Sequence, residues 1–226
     1  MFVVTASDLK PLHSNCYIDK YADDIYLIAP PCDDTFIQAE INSIERWADV
    51  NNLKLNKSKS MEMIIHSSVR DRSSSPPVNT LSGIARVDGM KMLGVYIDNH
   101  LSVSTHVLNV CQAASQSLYA LRVIKSFGLD EQSVHDVCVA TLLSQLTYAI
   151  PAWWGFASAV DKQKLQSVLN RATKWGFYKP NSPTIEQVSA KRSTNLFKSI
   201  LNNPFHVLYQ FLPPVKQTKY CWMSGC

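Results

Sequence analysis

Two adjacent carboxylates, Asp23 and Asp24, lie between two short stretches of β-forming residues, 16–18 and 25–28. Neighbouring side chains of a strand point to opposite faces, so consecutive aspartates can serve one site only where a turn interrupts that alternation. The pattern therefore predicts a β-hairpin with residues 21–24 at its tip. Two carboxylates at such a tip could hold a metal ion, or each could cap backbone N–H groups of the turn. These four residues alone leave both interpretations open.

The composition indicates a globular protein of one large or two small domains: 226 residues, 46% hydrophobic and 18% charged. Its six cysteines form no C-x-x-C pair, and no histidine pair has zinc-finger spacing. We therefore expect no structural zinc and free thiols in a reducing compartment. The first residues lack the basic segment of a secretory signal. These features predict an intracellular protein, nuclear or cytoplasmic, that is not secreted.

One uncharged segment, residues 137–160, is about as long as a membrane span. It carries a polar side chain on nearly every helical turn and is interrupted by Pro151. We interpret it as a buried helix followed by a break, and we expect no membrane partner.

Residues 15–66 have the pattern of a β-β-α-β unit. After the hairpin, Asp33, Asp34 and Thr35 offer an N-cap for a helix that reaches Val50. The apolar face expected for that helix comprises Ile37, Ile41, Ile44 and Trp47 or Ala48. Residues 61–66 alternate as a further strand, and residues 67–80 form a linker rich in serine and proline.

Beyond the linker, Asp88-Gly89 between two apolar runs predicts a hairpin within residues 81–100. The chain then becomes helical over residues 101–226. One helix should end near Gly128, and Asp130 should cap the next, which reaches about Ala149. A third helix should bury an apolar face and a fourth should cover about residues 185–201. The buried face expected for the third comprises Leu165, Val168, Leu169, Ala172 and Trp175.

Positive charge is concentrated in residues 162–219, which contain ten Lys or Arg residues and a single acid, Glu186. That segment carries a net charge of +9 and the rest of the chain carries −5, against +4 overall. A basic region beside an acidic one suits a protein that binds a polyanion at one end, although a solvated helical surface has the same composition.

These segments, in their order and spacing, resemble the C-terminal part of the reverse transcriptase of LINE-type (non-long-terminal-repeat, Jockey-like) retrotransposons. The resemblance implies an α+β fold, with a partial polymerase palm (β-hairpin plus helix) in residues 1–66 and a helical thumb-like domain in residues 101–226. Residues 81–100 would be the primer-grip hairpin. The segments that carry the resemblance are residues 2–9, 21–24, 44–56 with Lys59, 92–95, 148–153 and 203–208.

The resemblance also implies roles for particular residues. Such polymerases use two Mg²⁺ ions to join a primer 3′-hydroxyl to a deoxynucleoside triphosphate. They extend a DNA primer along an RNA template. Asp23 would be the main metal ligand and Asp24 a supporting one. Lys59 would lie near the triphosphate. Primer and nucleotide contacts would come from Tyr21, Ala22, Leu93 and Gly94, and contacts to the nucleic-acid backbone from Lys164, Arg171 and Lys174.

The sequence departs from the family at its start, because nothing before Tyr21 takes the place of the family's first palm carboxylate. Two carboxylates without a third should hold Mg²⁺ weakly, so we expect this chain alone to be inactive. The tail, residues 216–226, also departs from the family. Two alternatives therefore stay open: a nucleic-acid-binding module without catalysis, using aromatics such as Trp175, Phe177 and Tyr178, or a relic without function.

Overall fold

A computed structural model describes residues 6–30, 34–65, 81 and 83–214. The chain forms two compact units, Met1–Ser102 and Val103–Cys226. Strands and helices both occur, so the α+β class is confirmed. The hairpin expected in residues 81–100 belongs to the first unit. The predicted linker, residues 67–80, and the tail from residue 215 lie outside the described residues.

The predicted first hairpin is present. Strands β1 (Tyr17–Tyr21) and β2 (Asp24–Ile28) are antiparallel, and Tyr21 pairs with Asp24 at the closed end. Ala22 and Asp23 form the two-residue turn, with Ala22 in the left-handed region at φ +53°. No residue of either strand is buried. A hairpin with so little burial is marginally stable by itself, and it depends on its connections to the rest of the unit.

Helix α1 spans Asp34–Val50 and buries one apolar stripe, as predicted. Ile41, Ile44 and Ala48 are buried, together with the carboxylate of Glu40. The helix ends where Asn52 adopts a left-handed conformation at φ +55° and Leu53 N–H donates to the carbonyl of Ala48. Of the three residues expected to offer its N-cap, Asp34 and Thr35 lie within the helix, and Asp33 lies outside the described residues.

The second hairpin differs from the predicted one. Strands β3 (Met61–Glu62) and β4 (Ala85–Arg86) pair in parallel, whereas β5 (Gly89–Met92) and β6 (Val95–Asp98) form the hairpin. Its turn is Leu93-Gly94, and both residues have positive φ, +46° and +91°, as a type I′ turn requires. The predicted turn at Asp88-Gly89 is therefore wrong.

Gly89 is explained by packing rather than by a turn. A Cβ atom at this position would lie 2.5 Å from the hydroxyl oxygen of Tyr96, whose ring covers the glycine. Asp88 instead joins the open end of the hairpin, because its carbonyl accepts from Asn99 N–H at 2.7 Å and its carboxylate accepts from the Asn99 side chain. Glycine inside a strand often marks such a close approach.

The second unit is helical in its described residues. Its helices are α2 (Ser104–Ser126), α3 (Glu131–Cys138), α4 (Ile150–Trp153), α5 (Ala159–Lys174) and α6 (Ile185–Asn202). Helix α2 packs on α3 and α5, while α6 packs on α4 and α5. The Asp130 side chain accepts from Gln132 N–H and Ser133 N–H, which confirms the predicted cap. Trp175 lies beyond the end of α5 and is 40% exposed, so it does not belong to the buried face predicted for it.

Helix α3 continues through a π-helical turn, Val139–Leu143, to Leu146, and Ala149 then adopts a left-handed conformation before α4. The helical stretch Glu131–Phe156 is long and apolar enough to cross a membrane by length and composition. Its side chains Leu142, Leu146 and Ile150 are buried in the core of the unit. This arrangement is consistent with a core helix of a soluble protein.

Candidate metal and nucleic-acid sites

The hairpin tip presents two exposed carboxylates. Asp23 occupies the second position of the turn and Asp24 begins β2. Both side chains are exposed, and neither has a hydrogen-bond or ion-pair partner within the described residues. They therefore do not cap the turn, which is the ordinary role of aspartate there. Their oxygens remain open to an external ligand.

The turn also holds Ala22 in a strained conformation. A left-handed φ of +53° costs an alanine about 1 kcal/mol relative to its usual conformations. Backbone outliers of this kind concentrate at functional sites, where the surrounding structure maintains them. With Ala22 in this conformation, two residues are enough to close the turn, and Asp23 and Asp24 both lie at its tip.

The donor chemistry suits Mg²⁺, which prefers carboxylate oxygens. However, no group of three or more His, Cys, Asp or Glu side chains suited to a metal occurs in the described part of the chain. Of the earlier acids, Asp8 accepts from Trp47 Nε1 at 3.0 Å, and Asp19 lies on β1 opposite Tyr26. The tip thus offers two protein ligands for a metal that takes six.

Lys59 lies in a separate turn. The side chain of Asn56 accepts from Ser58 Oγ at 2.7 Å and from Lys59 N–H at 3.3 Å, which shapes that turn. The Lys59 side chain is exposed and has no partner in the described residues. A neighbouring open cavity of about 660 Å³ contains both Lys57 and Glu45, which form an ion pair at 2.6 Å. Its mixed charge does not indicate an anion site.

Leu93 and Gly94 form the tip of the β5–β6 hairpin and are exposed. The described strands form three separate two-stranded sheets rather than one. The two hairpin tips, residues 21–24 and 93–94, are therefore not joined by a common sheet in the part of the unit that is described.

The three basic residues predicted to contact nucleic acid all lie on α5, but they differ in their surroundings. Lys164 Nζ pairs with the buried Asp161 at 3.2 Å. Arg171 donates to Ser115 Oγ at 2.9 Å. Lys174 is exposed and has no partner within the described residues. Lys174 is thus the basic residue of the three that is most available to an external anion.

Two of the three aromatics considered for nucleic-acid stacking are core residues. Phe177 and Tyr178 are each 3% exposed, and the Tyr178 hydroxyl donates to the carbonyl of Pro183 at 2.8 Å. Burial raises the pKa of the Tyr178 hydroxyl. Only Trp175 keeps an accessible face, so the prediction for Phe177 and Tyr178 is wrong.

Sequence reasoning missed an open groove of about 370 Å³ beside Lys174, which we call the α5 groove. It lies between the C-terminal half of α5 and residues 178–184, and its lining includes the polar side chains of Gln166, Asn170, Lys174 and Lys179. The helical spacing of Gln166, Asn170 and Lys174 was the available signal, because these positions share a helix face.

Comparisons with protein-family models, with curated proteins and with solved structures find no match.

Proposed function

We propose that this chain is part of an RNA-directed DNA polymerase, the reverse transcriptase of a LINE-type retrotransposon. The observation that carries the proposal is the pair of free carboxylates, Asp23 and Asp24, at the tip of a strained hairpin. It gains support from the order of the segments in which the sequence resembles that family. Under this proposal, residues 1–66 belong to a partial palm and residues 101–226 to a thumb-like domain. The protein would be intracellular.

In this function the residues have distinct tasks. Asp23 and Asp24 would hold Mg²⁺, which when bound would favour ionisation of the primer 3′-hydroxyl and offset the charge of the triphosphate. Tyr21 and Ala22 would adjoin the primer end, and the exposed ammonium of Lys59 would meet the triphosphate. Leu93 and Gly94 would support the primer strand on its RNA template.

The ligand count limits what these 226 residues do by themselves. Two neighbouring carboxylates repel each other and leave most metal positions to water, so the affinity should be low. We therefore expect the chain alone to bind divalent ions weakly and not to extend a primer.

A Mn²⁺ titration followed by NMR line broadening tests the metal site, with Mn²⁺ as the probe for Mg²⁺. We expect broadening centred on residues 21–25, with a dissociation constant on the order of 1 mM or weaker. Asp23→Asn should weaken binding at least about fivefold, because it removes one of two anionic ligands. Excess Mg²⁺ should reverse the broadening.

Asp19→Asn is the matched control, because Asp19 is an exposed aspartate on the same hairpin and the substitution removes the same charge. It should change the affinity less than about twofold if the effect is ligation rather than general charge. Equal losses in both variants, or broadening centred elsewhere, would count against the proposed site.

A binding module without catalysis is the second candidate, and the α5 groove is the observation in its favour. It predicts that nucleic-acid binding depends strongly on salt and not on Mg²⁺. Lys174 is the suitable residue for charge reversal, because changing Lys164 would also disturb buried Asp161. Unaltered binding in Lys174→Glu would exclude a role for this face.

A further inference from the structure

We propose that His13 is a site of covalent modification, at which the ring nitrogen Nε2 takes a phosphoryl group from a donor of the phosphoramidate class. Glu40 is the positioning residue that leaves Nε2 as the reactive nitrogen. The site lies in the loop before β1, in the first unit. It depends neither on the proposed metal site nor on polymerase activity.

The Glu40 carboxylate accepts hydrogen bonds from one loop and holds it on α1. This buried group accepts from Leu12 N–H at 3.0 Å and from His13 N–H at 2.9 Å, and it lies 2.7 Å from His13 Nδ1. Burial acts to raise the pKa of Glu40, but these hydrogen bonds lower it, so the group is ionised at neutral pH. An ionised carboxylate only accepts, so Nδ1 carries a proton and donates it.

The lone pair of the neutral His13 ring is therefore on Nε2. That nitrogen has no hydrogen-bond partner within the described residues, and it is not one of their buried unpaired atoms. The His13 side chain is 42% exposed, and its ring packs on Phe36 with the ring centroids 4.0 Å apart. One contact holds the ring edge and the other holds the ring, while Nε2 stays accessible. A histidine whose tautomer is fixed by a carboxylate is suited to act as a nucleophile.

The phosphoryl transfer balances with the groups named. The Nε2 lone pair forms a bond to phosphorus while the phosphorus–nitrogen bond of the donor breaks, and the electron pair of that bond leaves with the amine. Nδ1 keeps its proton, so the phosphorylated ring is a cation. The Glu40 carboxylate faces this cation at hydrogen-bond distance and stabilises it. The same contact thus fixes the tautomer before transfer and offsets the ring charge after it.

His206 provides an internal reference with the opposite tautomer. Leu208 N–H donates to His206 Nδ1 at 3.1 Å, so the neutral ring carries its proton on Nε2. Its side chain is also partly exposed. The lone pair of His206 is engaged by the backbone, whereas that of His13 is accessible. We therefore expect the two histidines to differ in reactivity.

Treatment of the whole chain with potassium phosphoramidate tests the proposal. Mass spectrometry of peptides gives the rate at each histidine, and phosphorus NMR identifies the modified nitrogen. We expect His13 to be phosphorylated on Nε2 at least about tenfold faster than His206. Concentrated urea should make the two rates equal within about twofold, because both rings lose their partners on unfolding. Nitrogen NMR of the untreated chain should place the ring proton on Nδ1 of His13 and on Nε2 of His206.

Glu40→Gln tests the positioning role, because glutamine removes the charge and keeps one acceptor instead of two. Phosphorylation of His13 should slow at least about fivefold, while the rate at His206 should stay within about twofold. Glu45→Gln is the matched control on the same helix, since Glu45 pairs with Lys57. It should change the rate at His13 less than about twofold. If circular dichroism shows that Glu40→Gln unfolds the first unit, the rates in the folded and urea-unfolded parent chain decide the proposal instead.

Equal rates at His13 and His206 in the folded chain would overturn the proposal, and so would phosphorylation of His13 on Nδ1. Equal slowing by Glu40→Gln and Glu45→Gln would show that the overall charge of α1 controls the reaction, which would overturn the role of Glu40. Each of these results leaves the metal proposal at Asp23 standing, because Mn²⁺ binding is measured separately.

Discussion

Replacing Asp161 with alanine is expected to lower the free energy of unfolding of the helical unit by about 3 to 4 kcal/mol. The carboxylate is 2% exposed. It accepts from Ser104 Oγ at 2.6 Å and Ser158 Oγ at 2.7 Å, so it links the first turns of α2 and α5. Its loss would leave the hydroxyls of Ser104 and Ser158 and the Lys164 ammonium without this partner. Chemical denaturation followed by circular dichroism measures the change.

Asp136→Ala is the control for that prediction. Asp136 is exposed on α3, and its side chain accepts a surface hydrogen bond from Gln132 in the same helix. We expect the free energy of unfolding to change by no more than about 0.5 kcal/mol. Burial acts to raise the pKa of Asp161, but the hydrogen bonds from Ser104, Ser158 and Lys164 outweigh it and lower that pKa. Similar losses from the two variants would show that Asp161 does not join the helices.

Glu40→Ala should destabilise the first unit by about 2 to 3 kcal/mol. The Glu40 side chain is fully buried on α1 and accepts from Leu12 N–H at 3.0 Å and His13 N–H at 2.9 Å. It also contacts His13 Nδ1 at 2.7 Å. Without the carboxylate, two backbone donors of the loop before β1 lose their acceptor. Hydrogen exchange followed by mass spectrometry should show faster exchange in residues 9–50 and no change in residues 103–174.

Glu45→Ala is the matched control on the same helix, because Glu45 forms a partly exposed ion pair with Lys57. We expect that substitution to lower the free energy of unfolding by less than about 1 kcal/mol. For Glu40, burial acts to raise the pKa, but the hydrogen bonds from Leu12 and His13 lower it below the ordinary value of 4.5. Its stabilisation is therefore present above pH 4.5 and is lost as pH falls through the lower folded pKa. Glu40→Ala should lack this acid-induced loss; an unaltered pH profile would contradict the account.

Local patterns in the sequence predicted the elements whose causes are local. The hairpin at residues 21–24 followed from the interruption of strand alternation, and the Asp130 cap followed from its position before a helix. The buried stripes of α1 and α5 followed from apolar periodicity. Asp88-Gly89 misled because the role of Gly89 depends on the ring of Tyr96, seven residues away on the paired strand.

The parts that sequence reasoning missed depend on distant partners. Glu40 and Asp161 are charged residues in helices, and a sequence pattern predicts that such residues lie on the exposed face. They are buried because their carboxylates accept hydrogen bonds from distant parts of the chain. Glu40 accepts from Leu12, 28 positions away, and Asp161 accepts from Ser104, 57 positions away. The pairing of Lys164 had a sequence signal, because Asp161 lies three residues before it on the same helix, whereas Lys174 has no acid at that spacing. The α5 groove was missed because it depends on a contact between distant elements: the backbone N–H of Ile185, at the start of α6, donates to Gln166 on α5.

Primer extension on an RNA template tests the central claim most directly. The assay would compare the 226-residue chain with a longer chain, in which a polymerase segment carrying the family's first palm carboxylate is joined to its N-terminus. We predict Mg²⁺-dependent extension by the longer chain, a loss of at least about a hundredfold in its Asp23→Asn variant, and no extension by the 226 residues alone. Extension that survives Asp23→Asn, or no extension by the longer chain, would contradict the proposal that the hairpin tip is the metal site of a reverse transcriptase.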